Sequence, residues 1–224
     1  MNATIIACRT IEDELNFVLK EARLDFPIIY AEAGLHSHPE KLKNFVQDTI
    51  NEIDNVDYIL LGYGLCGNGL IGLSSKNATL ILPQYDDCVA IFLGSRERYR
   101  ANLGSEMGAF FLTQGMMRYF NPRKEFYDDI VLKVGTKKAQ LYCKIIFENY
   151  KSFAMVETGA YDAEALFVEI ENQAKFFDFK THRISGTLEV LRKLVTGQWD
   201  ENFQVVPPGK EIEMWDICSE SESK

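Results

Sequence analysis

The first ninety residues alternate between short apolar runs and segments whose apolar residues recur at helical spacing. Residues 11–22 and 42–53 show the helical spacing. The apolar runs, rich in β-branched residues, predict buried strands at residues 3–7, 26–30, 58–61 and 79–82. This order predicts an α/β fold with a doubly wound, mostly parallel sheet, flavodoxin- or Rossmann-like, in a three-layer α/β/α arrangement.

The second half of the chain is less regular. The pattern predicts strands at residues 109–112 and 153–156, a late strand at residues 205–206, and helices near residues 136–150, 163–177 and 186–196. Thr10 is expected to cap the first helix, with Asp13 three residues on. The length favours a single α/β domain over residues 1–218, and residues 219–224 form a polar tail that is expected to be disordered.

Charge excludes two classes of partner. The formal net charge of −9 argues against binding to nucleic acid and against docking on an anionic membrane. The sequence has no apolar run of about 18 residues that could span a bilayer, and residues 1–10 do not resemble a signal peptide. We therefore expect a cytoplasmic protein, whose five cysteines serve as thiols, metal ligands or redox groups.

Three of the cysteines follow predicted strands. Cys8 comes directly after the first strand, Cys66 lies in the loop after the third, and Cys88 follows the fourth. In the flavodoxin-like strand order these strands are neighbours, about 4.8 Å apart, so their loops meet at the edge where open α/β sheets bind ligands. Thiolates are typical ligands of zinc and of iron–sulfur clusters, and three of them leave a fourth position open, which His36 could also fill.

A structural interpretation also fits each cysteine taken alone, because free cysteine is often a small buried hydrophobic residue. Cys143 lies within a predicted helix and is interpreted in this way, and Cys218 lies beside the tail. The equivalent placement of Cys8, Cys66 and Cys88 favours a shared metal site over three independent core residues.

The loop around Cys66 matches a G-x-G-x-x-G pattern at Gly62, Gly64 and Gly67. A dinucleotide site would require a helix to begin here, but the match follows the third strand and further glycines follow it. A second interpretation is a tight loop that needs positive φ angles. We prefer a third, in which the backbone amides of these glycines and Gly69, with the Asn68 side chain, contact a cluster.

Two charged groups have alternative interpretations. Asp86 and Asp87 could act as acid–base groups, but a cap on the following helix is the favoured role. Arg96, Arg98 and Arg100 could bind an anionic group on a ligand or partner, or form a solvated helix face.

Several of these stretches together resemble the family called domain of unknown function 1638. The resemblance rests on residues 6–10, Leu35-His36 with residues 39–42, residues 62–69, and Asp87-Cys88 with residues 93–95, and it extends over nearly the whole chain. It implies a setting in anaerobic archaea and bacteria, often beside corrinoid-dependent methyltransferase systems. The three strand-end cysteines are also similar to those that hold a cluster in 2-hydroxyacyl-CoA dehydratase-like proteins.

Three functions are therefore expected in order of preference. The first is a [4Fe–4S]-type cluster on Cys8, Cys66 and Cys88, with one iron open to a small-molecule ligand, serving redox or small-molecule chemistry in one-carbon or methyl metabolism. The second is a zinc site that adds His36 and assists methyl transfer. The third is a non-catalytic module that binds a nucleotide, a corrinoid or a methyltransferase partner. The aromatic content of 12% is compatible with an apolar homodimer face.

Overall fold

The computed structural model describes residues 1–103 and 108–215 of the protein. Its strands, in chain order, are β1 (Ala3–Cys8), β2 (Ile28–Ala31), β3 (Tyr58–Gly62), β4 (Thr79–Pro83), β5 (Ala109–Leu112), β6 (Ser152–Glu157), β7 (Lys180–Ser185) and β8 (Phe203–Val206). Its α-helices are α1 (Glu12–Ala22), α2 (Pro39–Glu52), α3 (Cys88–Leu93), α4 (Arg96–Leu103), α5 (Gln114–Tyr119), α6 (Asp129–Val134), α7 (Thr136–Ile146), α8 (Ala163–Phe177) and α9 (Glu189–Thr196). The predicted tail at residues 219–224 lies outside the described residues.

The central sheet has five strands in the order β2-β1-β3-β4-β8. The first four are parallel, and β8 pairs antiparallel with β4 at the edge. The expected flavodoxin-like order of the first four strands is confirmed, as is the late strand at residues 205–206. The carboxyl ends of β1, β3 and β4 are therefore neighbours on one edge of the sheet.

Strands β5, β6 and β7 form a separate parallel sheet, in the order β5-β6-β7, whereas β8 joins the first sheet. The predicted α/β class with a mostly parallel central sheet is confirmed, but β7 was not predicted. Its sequence, Lys180–Ser185, has no apolar run, because its side chains are exposed or only partly buried at the edge of the sheet.

Both faces of each sheet are covered. One face of the central sheet packs against α1, α3 and α9, and the other packs against α2 and the segment that contains Ile212 and Trp215. Along β6 the side chains alternate: Ala154 and Val156 join the core shared with the central sheet, whereas Phe153 and Met155 face α8. The second sheet thereby lies against the carboxyl side of the first.

The start of α1 differs from the prediction. The expected cap by Thr10 is wrong, because a single 3-10 turn, Arg9–Ile11, precedes the helix and Ile11 occupies the cap position without a side-chain hydrogen bond. The Thr10 hydroxyl instead lies 3.0 Å from the Cys8 Sγ atom. Thr10 is thereby turned toward the first predicted metal ligand.

Two other helix starts agree with the sequence. Pro39 opens α2, as predicted, and Asp162 caps α8 by accepting hydrogen bonds from the backbone N–H groups of Glu164 and Ala165. Among the described residues, the helices are too short or too polar to cross a bilayer.

Candidate metal centre

Cys8, Cys66 and Cys88 line one cavity of about 570 Å³, together with His36. Cys8 is the last residue of β1, Cys66 lies four residues beyond the end of β3, and Cys88 is the first residue of α3 after β4. Since these three strands are adjacent, the fold brings together the side chains that the sequence analysis grouped.

The two loops that carry Cys66 and Cys88 are joined by backbone hydrogen bonds. The Leu65 N–H donates to the Tyr85 carbonyl at 2.7 Å, and the Cys66 N–H donates to the Asp86 carbonyl at 3.0 Å. These bonds fix the spacing between the two cysteine loops independently of any ligand.

Glycine is required where these loops cross. A Cβ atom on Gly64 would lie 2.7 Å from the Asp87 Cα atom, closer than unbonded carbon atoms approach. Just beyond it, Cys66, Gly67 and Asn68 have positive φ angles of 47°, 66° and 69°. Three successive left-handed residues turn the chain sharply, as expected for a tight loop.

The five residues predicted to contact a cofactor have different environments. Gly67 lines the cavity, whereas Asn68 is exposed and lies outside its lining. Gly62 and Gly69 allow close approach of Ala7 and of the Pro39 carbonyl, respectively, and Gly64 allows that of Asp87. This placement favours a packing role for Gly62, Gly64 and Gly69.

The glycine loop does not continue into a helix. Residues 66–72 form turns, and the next regular element is β4. The helix N-terminus that a dinucleotide motif directs at the pyrophosphate is therefore not formed by this segment.

Electrostatics in the cavity disfavour free thiolates. Burial is the main cause that raises the pKa of the Cys66 thiol, and the nearby Cys8 and Asp87 side chains raise it further. Burial also raises the pKa of Cys88, followed by the effects of Asp87, Cys8 and Cys66. Cys8 is thus close enough to Cys66 and Cys88 to affect their ionisation, and a nearby cation would favour the thiolate forms of these two residues.

His36 lies at the mouth of the cavity, in a short 3-10 turn that precedes α2. The residue is exposed, but desolvation of its imidazole by the surrounding protein lowers its pKa, against a smaller opposite effect of Asp87. A neutral imidazole is the form that binds metals.

Tyr63 was missed by the sequence analysis. Its side chain is 1% exposed, it lines the cavity, and its hydroxyl has no hydrogen-bond partner among the described residues. Burial, followed by the charges of Cys8 and Cys66, raises its pKa, so the phenol keeps its proton. A buried O–H donor without a partner is costly, and water or a group bound in the cavity would remove that cost by accepting its hydrogen bond.

The opposite wall of the cavity is aromatic and apolar, and it comes from the less regular half of the chain. Its main contributors are Phe111 of β5, Met116 of α5, Phe120, Phe126 and Tyr150. Sequence reasoning could not find this wall, because its residues lie more than twenty positions from the cavity's cysteines and carry no motif.

Asp87 has the structural role that was favoured for it. One carboxylate oxygen accepts the Ala90 backbone N–H at 2.9 Å, which caps α3, and the other accepts the Tyr99 hydroxyl at 2.5 Å. The cap fixes the first turn of α3, where Cys88 is located.

The predicted arginine cluster supports neighbouring loops. Arg96 donates to the Gln84 carbonyl at 3.0 Å, and Arg98 donates to the Leu93 carbonyl at 3.0 Å. Neither lines the cysteine cavity. The side chain of Arg100 lies outside the described part of the chain, as does Cys218.

The described residues contain no group of three or more His, Cys, Asp or Glu side chains arranged to hold a single metal ion. Cys143 lies away from the cavity, where its thiol donates to the Phe126 carbonyl at 2.9 Å. Its interpretation as a structural cysteine is consistent with this contact.

Residues 30–195 match the family described as "Protein of unknown function (DUF1638)". The match includes His36, Cys66 and Cys88, while Cys8 precedes it. No curated protein and no solved structure matches the chain.

Proposed function

Because this chain belongs to the DUF1638 family, whose description names no activity, we propose its function from the cavity that its cysteines line. Cys8, Cys66 and Cys88 would hold a [4Fe–4S]-type cluster, with one iron open to a small-molecule ligand. The observation that carries the proposal is that three thiols from the ends of three adjacent strands line one cavity.

The donor set fits a cluster. Three sulfur ligands are typical of a four-iron cluster that keeps one iron free for a ligand. The raised pKa values of Cys66 and Cys88 are caused by burial and by nearby negative groups, and a positively charged metal core would offset both effects. The unpartnered Tyr63 hydroxyl supplies a donor for a sulfide or for the bound ligand.

A cluster and a single ion require different spacings of their sulfur ligands. A tetrahedral zinc with bonds of about 2.3 Å requires its sulfur ligands to lie within about 4 Å of each other. The described residues show no such ready-made group. In a cluster each cysteine binds a different iron, so the sulfurs remain farther apart.

When bound, such a cluster supplies one-electron transfer or polarises a ligand on its open iron. The side chains that line the cavity would orient the ligand and exclude water. Tyr63 would orient a polar atom beside the metal, and the aromatic wall would exclude water from it. We place this chemistry in anaerobic one-carbon or methyl metabolism, with a corrinoid or methyltransferase protein as the partner.

Zinc remains the second candidate because one observation favours it. His36 lines the same cavity, and its lowered pKa keeps the imidazole available as a fourth ligand. Zinc held by all four side chains would be structural, whereas zinc that keeps one position open would activate a thiol for methyl transfer.

Metal and acid-labile sulfide analysis of protein purified without oxygen tests both candidates. We expect about four irons and four sulfides per chain. The Cys66→Ala variant should lose them, while the Cys143→Ala variant, which removes a thiol outside the cavity, should retain them. Circular dichroism of each variant controls for folding.

Two other outcomes would each overturn the cluster proposal. About one zinc per chain without sulfide would replace the cluster by the zinc site. Absence of stoichiometric metal from folded wild-type protein would overturn both and leave a module that binds a cofactor or a partner.

A further inference from the structure

The surface of residues 130–147 differs in charge from the rest of the chain. These residues include four lysines and no acidic residue, whereas the formal net charge of the whole chain is −9. The lysines are Lys133, Lys137, Lys138 and Lys144, and none forms an ion pair with a described residue. Their charge is therefore available to a partner.

The same segment exposes apolar side chains in rows. On α7, Leu141 is 58% exposed and Ile145, one turn later, is 62% exposed. Tyr142 and Ile146 form a second exposed pair at the same spacing. Large apolar residues clustered on one helix face mark an interaction surface more often than a solvated one.

The adjoining helix α8 carries the opposite charge. It contains Glu164, which is paired with Arg183, two further glutamates and one lysine, and its exposed face includes Val168, which is 57% exposed, and Phe176, two turns later. Glu169 is exposed beside Val168, and Glu171 is partly buried. A groove of about 730 Å³ separates the two helices and is lined by Leu141, Ile145 and Phe176.

We propose that this surface, the α7–α8 face (Leu141, Tyr142, Ile145, Ile146, Val168 and Phe176), is the interface of a two-fold symmetric homodimer. In a two-fold interface the same surface is used by both subunits, so α7 of each copy would contact α8 of the other. The lysines of one copy then meet the glutamates of the second, and the apolar rows fill the paired grooves.

The charges on the α7–α8 face favour a second copy of the chain over a lipid surface as its binding partner. A basic, apolar helix alone would also suit an anionic lipid surface. Here Glu169 on the exposed face of α8 and Glu148 at the groove would be repelled by lipid phosphates, as would the net charge of −9. In a two-fold dimer, the lysines near α7 of each subunit face the glutamates of α8 in the other subunit, so the surface is complementary to itself.

Light scattering after size-exclusion chromatography tests the proposal, with the protein at tens of micromolar. Wild type should have the mass of a dimer. The Leu141→Ser/Ile145→Ser variant should be monomeric or bind at least about tenfold more weakly. The Phe17→Ser variant, which changes an exposed apolar residue on α1, should remain dimeric.

Charge reversal makes the test specific for self-association. The Lys137→Glu/Lys138→Glu variant and the Glu169→Lys/Glu171→Lys variant should each dimerise less well than wild type, because each places like charges across the interface. An equimolar mixture of the two should restore the dimer, because both contacts then pair opposite charges.

Three results would overturn the proposal. They are a monomeric wild type, a dimer that the α7 substitutions leave intact, and a mixture of charge-reversed variants that fails to recover. Vesicles of phosphatidylglycerol serve as the competing probe, and binding of wild-type monomers to them would assign the face to lipid instead.

Discussion

At the scale of single residues, the unpartnered hydroxyl of Tyr63 would link stability to binding of the proposed metal group. Its side chain is buried, and no described residue accepts its hydrogen bond. A buried donor left unpaired costs about 1–3 kcal/mol, whereas one that pairs with a bound group costs little.

The Tyr63→Phe variant should therefore behave differently with and without metal. We expect metal-free variant protein to be more stable than metal-free wild type by about 1 kcal/mol in urea denaturation. In the metal-loaded protein this advantage should disappear, and the cluster potential should become more negative because a donor to the reduced cluster is lost. An equal gain in stability with and without metal would show that the hydroxyl does not face the bound group.

Glu14 is a second buried polar residue, and it does not line the cysteine cavity. It is 0% exposed on α1, one of its oxygens has no described partner, and the Thr158 hydroxyl lies 3.4 Å from the other. Burial, with a smaller effect of Asp13, raises its pKa to about 8. Thr158 thus supports this carboxyl group.

Stability should consequently fall with rising pH. The folded state binds a proton on Glu14 up to about pH 8, while the unfolded state releases it near pH 4.5. The contribution of protonated Glu14 to the free energy of unfolding is fully present below pH 4.5 and is lost as the pH rises to about 8. This loss is on the order of 3–5 kcal/mol at most.

The Glu14→Gln variant, neutral at every pH, should match wild type near pH 4.5 and exceed its free energy of unfolding above pH 8. Urea denaturation at both values measures this difference. The exposed Glu52→Gln substitution is the control and should show no such divergence. A constant offset between wild type and Glu14→Gln at all pH values would contradict the assignment.

At the scale of elements, the crossing of the two cysteine loops depends on the absence of a side chain at Gly64. In the Gly64→Ala variant the added methyl group would meet the Asp87 backbone at 2.7 Å, so one loop must move. We expect a loss of about 1–3 kcal/mol in stability and a marked fall in metal content.

The matched control for this change is Gly159→Ala, which strains a residue with a φ of 83° but meets no atom within 4 Å. It should cost about 1–2 kcal/mol and leave the metal content unchanged. Equal metal content in the two variants would show that the loop crossing does not set the positions of the cysteines.

The elements also show what can be predicted from the sequence. The first four strands, their order and the shared edge of Cys8, Cys66 and Cys88 were predictable, because buried parallel strands are continuous apolar runs. The strand β7 was not, since its edge position leaves it polar. Tyr63 and the aromatic wall were missed because burial without a partner, and proximity between segments more than twenty residues apart, leave no local pattern.

At the scale of the whole molecule, a late segment of the chain supports an early loop. The Gly72 N–H donates to the Ile212 carbonyl at 2.8 Å, and the Ile212 N–H donates to the Leu73 carbonyl at 2.8 Å. Ile212 and Trp215 are buried against the core that also contains Cys8 and Tyr63. The loop that carries Cys66 is thus anchored by residues that follow β8.

The Ile212→Ala variant should lose about 2–5 kcal/mol of stability, because it removes a buried side chain whose site cannot fully collapse. Chemical denaturation measures the loss. Met214→Ala, an exposed neighbour, should change stability by less than about 0.5 kcal/mol. If both substitutions were neutral, the segment would contribute nothing to the loop.

The pairing of β8 with β4 also means that one edge of the central sheet is completed late in synthesis of the chain. On the ribosome the segment that completes the sheet edge emerges about 140 residues after Cys66, on the order of ten seconds later at common rates of translation. In a nascent chain, the three cysteines are therefore synthesised before β8 and before the residues that anchor the Cys66 loop. Insertion of the proposed metal group would then follow release of the chain, as a late and separate step in maturation.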